Sequence, residues 1–204
     1  NIAGTYNVPA GNGNAFFQIQ GGGTLNFNGT STLTATGGGG FRLGEASAGT
    51  MNVTGGSLTY NSVSGSNFVV GRTAGGNGTL DVSAGILTLT GAGGFILAND
   101  STTSGTVTVG GTGTLDVSTS VFRIGGNASA TAATFNLNSG GTLVAGTSPT
   151  TTGGPSTFNF NGGTFKASAS ITTPALSRYN VRDGGAVIDT NGNPMTIAQA
   201  LQHS

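Results

Sequence analysis

Apolar and polar positions alternate along most of this chain in short bursts, and the bursts return at a fixed interval. Phe41, Phe68, Phe95 and Phe122 are each 27 residues apart. Each opens a similar motif: Phe-Arg-Leu-Gly, Phe-Val-Val-Gly, Phe-Ile-Leu-Ala, Phe-Arg-Ile-Gly. A second burst, Thr-apolar-Asn/Asp-apolar, begins at Thr24, Thr50, Thr79, Thr106, Thr134 and Thr157. Strict alternation puts its apolar residues on one face and its Thr and Asn on the other. A third burst follows seven or eight residues later, as in Thr32-Leu33-Thr34, Ser57-Leu58-Thr59-Tyr60 and Leu87-Thr88-Leu89. It continues in Thr114-Leu115-Asp116-Val117, Thr142-Leu143-Val144 and Thr164-Phe165-Lys166.

Three short strands per period, divided by Gly-, Ser- and Asn-rich turns, predict an all-β fold: a right-handed parallel β-helix, a three-sided solenoid of about 27 residues per coil. Phe41, Phe68, Phe95 and Phe122 should then pile into a core ladder. Thr24, Thr50, Thr79, Thr106, Thr134 and Thr157 should form one outward column, and Asn26, Asn52, Asp81, Thr108, Asn136 and Asn159 a second. Gly56, Gly85, Gly113, Gly141 and Gly163 precede the third strand by a corner, where positive φ favours glycine.

The ends are less regular. Residues 1–20 open or cap the solenoid: Tyr6, Val8, Phe16, Phe17 and Ile19 alternate around a turn at 9–14, and Phe17-Gln18-Ile19 is a worn phenylalanine strand. Coils fill residues 21–167, although 146–155 is a Thr/Gly/Pro loop where a phenylalanine strand is due. Residues 168–204 form a C-terminal coil or docking segment. There 189–193 reads as a hairpin-like or solenoid corner, and 195–201 as a helical turn or one more strand.

Composition narrows the reading. Forty glycines without a Gly-X-Y rhythm exclude collagen, and the regular apolar spacing argues against disorder. Six acidic and six basic residues give zero net charge, which leaves no electrostatic footprint for nucleic acid or an anionic membrane. No apolar run is long enough to imply membrane insertion. Such a weakly charged surface tolerates close association with its own copies. There is no cysteine. The chain starts at Asn1 without a visible signal peptide, as expected of a mature segment or a piece of a longer protein.

Candidate chemistry is sparse. Glu45, Asp81, Asp100, Asp116, Asp183 and Asp189 are the only acids. Asp81 and Asp116 fall on different sides of different coils, so no acid/base pair is expected. One histidine, His203, gives no basis for a metal cluster or a catalytic triad. The Gly-Gly-x-Gly-x-Asp rhythm of calcium-binding turns is absent, and Asp100 and Asp189 read as Asx-turn formers. We therefore expect no enzyme, no cofactor and no metal. Glu45 and Arg72, each four residues beyond a core phenylalanine, are expected to pair across the stack. Uniform Thr columns would suit ice, but the Asn and Asp rungs spoil the second one.

The string Asp183-Gly184-Gly185-Ala186-Val187-Ile188-Asp189-Thr190-Asn191-Gly192-Asn193, continued by Met195-Thr196-Ile197-Ala198-Gln199-Ala200-Leu201, resembles autotransporter-associated β-strand repeats. With the Gly/Thr strands, the resemblance spans roughly residues 20–204. It implies a bacterial cell-surface or extracellular protein, similar to the passenger β-helices of autotransporters, and it implies no catalytic residues. The expected role is structural, with coils docking end to end into a fibre or surface layer. The alternative is an adhesin-type segment that binds glycans through its Thr/Asn face. A polysaccharide-active enzyme or an ice-binding solenoid comes third.

Overall fold

The computed structural model describes residues 4–8 (backbone only), 17–35, 39–63, 65–173 and 175–204. The expected Phe16 and the turn at 9–14 lie outside the described residues. Every regular element described is a strand, every named strand pairing is parallel, and the strands stack into a solenoid of about seven turns.

Each turn as far as Val121–Ile124 contributes three strands. The phenylalanine strands Phe17–Ile19, Phe41–Leu43, Phe68–Val70, Gly94–Leu97 and Val121–Ile124 form a sheet of their own, with Phe17, Phe41, Phe68, Phe95 and Phe122 in one register column. Their motif ends on Gly44, Gly71, Ala98 and Gly125, all with positive φ (71°, 80°, 52° and 82°). That left-handed residue turns the chain out of the strand, and it explains why three of the four motifs close on glycine. The second and third strands share one 14-stranded sheet. They fuse because Ala48–Ser62 and Asn77–Gly91 run unbroken through the corner, with register shifts around Thr54 in place of a turn.

Several expectations need correction. Gly56 and Gly85 do take positive φ, but at the later corners the left-handed residues are Gly111, Gly140 and Gly162. Gly113, Gly141 and Gly163 are needed for closeness: a Cβ there would sit 2.0–2.5 Å from a backbone oxygen of the previous turn. In the third column Leu33 pairs with Tyr60, so the buried Ser31 takes the place that Leu58 and Leu87 hold in later turns. The helical alternative at 195–201 fails, because Met195–Ile197 is a strand paired with Ile171–Thr173. At 146–155 the missing strand shrinks to a single bridge, with Thr150 between Phe122 and Ile124. Asp189 to Asn193 is a solenoid corner, closed by Asn193 N–H donating to the Thr190 carbonyl at 2.8 Å.

The core is an aromatic spine. Ring centroids step 5.0 Å from Phe17 to Phe41, then 4.4, 5.6 and 5.7 Å through Phe68, Phe95 and Phe122. Tyr60 meets Phe41 and Phe68 edge-on and donates its hydroxyl to the Ser66 carbonyl at 3.0 Å. Beyond Phe122 the spine changes sides, to Phe135 (5.5 Å), Phe158 (4.9 Å) and Tyr179 (5.9 Å) of the second column.

Candidate functional site

The register stacks Thr24, Thr50, Thr79, Thr106, Thr134 and Thr157 rung on rung, and carries Asn26, Asn52, Asp81, Thr108, Asn136, Asn159 and Asn180 beside them. In the asparagine column each amide donates to the rung before it. Asn52 Nδ2 reaches Asn26 Oδ1 at 2.8 Å, Asn159 reaches Asn136 at 2.7 Å, and Asn180 reaches Asn159 at 2.8 Å. Asn136 donates more weakly to Thr108 Oγ1, at 3.4 Å. Asn159 and Asn180 are each 5 % exposed, so this part of the outward column is buried and spends its hydrogen bonds along the stack. Asp81 interrupts the series. Burial pushes its carboxyl above the ordinary carboxylate range.

The acids stay scattered. Asp81 aligns with Asn52 and Thr108 in the second column, whereas Asp116 aligns with Thr88 and Val144 in the third. Asp116 accepts the Ser118 N–H, and Asp100 and Asp189 accept N–H groups of their own turns at 2.7 and 2.8 Å. Among the described residues no group of three or more His, Cys, Asp or Glu could hold a metal ion. The expected Glu45–Arg72 pair is replaced. Glu45 pairs with Arg42 of its own turn at 3.3 Å and accepts the Thr73 hydroxyl of the next at 2.6 Å. Arg42 stands outward on its strand and Glu45 follows the left-handed Gly44, which turns the chain so that the two meet, a proximity that the four-residue spacing from Phe41 concealed.

Two further features escaped the sequence. One is a polar cleft on the outer face of the phenylalanine strands, beside Arg42 and Arg72. Its signal was the arginine between two apolar residues in Phe41-Arg42-Leu43. The other is the last turn. Val187–Asp189, Met195–Ile197 and Gln202–His203 each pair on one side only among the described residues. Val181, Ala186 and Met195 pack against the core but stay partly exposed, unlike their counterparts in earlier turns.

Comparison with protein-family models, curated proteins and solved structures found no match.

Proposed function

We propose that this chain is an extracellular structural protein whose turns dock end to end into a fibre or surface layer. The observation that carries the proposal is the in-register parallel stack, in which like rungs repeat from Thr24 to Thr157, so that each turn offers its neighbour the surface that a turn of another copy would also offer. A head-to-tail contact between such stacks does not close on itself, so it propagates. The zero net charge offers little repulsion to oppose this. The resemblance of residues 183–201 to repeats of bacterial surface proteins supports the same location.

Sedimentation and negative-stain microscopy over a concentration series test the proposal on the 204-residue chain. Linear particles that lengthen with concentration are expected. Ile197→Lys, which puts a charge on an edge strand, should shorten them while leaving the strand signal in circular dichroism unchanged. Monomers at high concentration would refute it.

A further inference from the structure

The outer face of the phenylalanine strands is not an open surface. Val69 and Ile96, in register with Arg42, point away from the core yet are 3 % and 5 % exposed. Beside them lies a cleft of about 120 Å³, lined by Arg42, Ser66, Asn67, Val69, Arg72 and Asn99 among others. We propose that this cleft binds a small oxyanion, a carboxylate or sulfate group, either free or carried on an acidic polysaccharide.

The polar ends that face the cleft are donors. Asn67 Oδ1 is occupied by the Gly94 N–H at 2.8 Å, which leaves the amide NH₂ as the group able to donate. Arg42 and Arg72 add two guanidiniums, which carry donors and no acceptor. The carboxylates of Glu45, engaged by Arg42 and Thr73, and of Asp100, which follows Asn99 and accepts the Ser101 N–H, do not line the cleft. The lining thus carries two cations and no carboxylate in a partly desolvated recess. Burial, and then the neighbouring Arg72, hold the Arg42 guanidinium below its usual range, and Glu45 only partly offsets them. Convergent donors with uncompensated positive charge suit an oxyanion, which arginine meets with paired hydrogen bonds. The cleft lies on the side of the solenoid and needs a single molecule, so it stands apart from end-to-end assembly.

Equilibrium dialysis with radiolabelled sulfate at fixed ionic strength tests this whether or not the protein assembles. One saturable site per chain is expected. Arg72→Gln should weaken it about tenfold or more, the scale of one lost charge-assisted hydrogen bond. Arg72→Lys should retain part of the affinity, and Arg178→Gln, an exposed arginine elsewhere, all of it. Competition by acetate and by a uronic-acid oligosaccharide separates the sources. Displacement at lower oligosaccharide concentration marks a polysaccharide ligand, and equal potency marks a free small anion. Absent saturable binding, or unchanged binding by Arg72→Gln, overturns the proposal.

Discussion

Asp81→Asn should stabilise the protein, although it removes a charged group from a half-exposed position. Asn52 commits its NH₂ to Asn26 at 2.8 Å, so its Oδ1 is the group left to meet rung 81. A carboxylate there sets acceptor against acceptor. An amide would donate to Asn52 Oδ1 and, like the carboxylate it replaces, could still accept from Thr108, whose hydroxyl oxygen is already an acceptor for Asn136 and whose proton is available. The one hydrogen bond gained, within about 0.5–1.5 kcal/mol, gives roughly 1 kcal/mol. For a chain of this length that is about 2–4 °C in Tm. The pH dependence sharpens the test. A carboxyl raised in the folded state binds its proton more readily there than in the unfolded chain, so stability is greatest below the unfolded value and falls as pH rises through the folded one. The gain from Asp81→Asn should therefore be larger at pH 7 than at pH 3. Urea unfolding followed by circular dichroism at both values measures it. A variant no more stable than the parent at pH 7, or a gain independent of pH, would refute the reasoning.

Two further outcomes follow from the core. Phe68 is fully buried, stacked 4.4 Å from Phe41 and met edge-on by Tyr60, so Phe68→Ala should cost about 3–5 kcal/mol, read as a lowered urea midpoint. Burial pushes the Tyr60 and Tyr179 hydroxyls up to about 12. Their contribution is complete below the ordinary tyrosine value near 10 and is lost as pH rises toward 12, worth roughly 3 kcal/mol each at about 1.4 kcal/mol per unit. Ultraviolet titration should show both ionising near 12 or with alkaline unfolding, and ionisation of either near 10 with the fold intact would contradict this.

The strands were legible because each rung repeats its neighbour. A Thr-apolar-Asn-apolar tetrad states both its spacing and its faces, and the observed register from Thr24 to Thr157 follows it residue by residue. Corners were less legible, since glycine answers two demands with one letter: left-handed φ at Gly56, close backbone approach at Gly113. The cleft was hidden because it joins Arg42, Asn67 and Arg72 across two turns, and nothing in a periodic spacing says that an outer face will be buried.

The change of sides in the aromatic spine shows what the repeat conserves. In the turn that begins at Phe68 the other two sides supply Leu80, Val82, Leu87 and Leu89. In the turn that begins at Thr150 the phenylalanine side has lapsed, and the same places hold Phe158, Phe160, Phe165 and Ala167. The spacing between second-column rungs falls with it, from 27 residues between Thr79 and Thr106 to 23 between Thr134 and Thr157 and 21 from there to Arg178. A close-packed interior cannot leave the volume of a lost phenyl ring empty, so rings appear on the remaining sides and the perimeter contracts around them. The quantity held constant along the solenoid is the filling of each cross-section, while the column that fills it can change. A search that follows the phenylalanine position therefore stops at Phe122, whereas one that counts aromatic and large aliphatic side chains per turn would trace the core on to Tyr179.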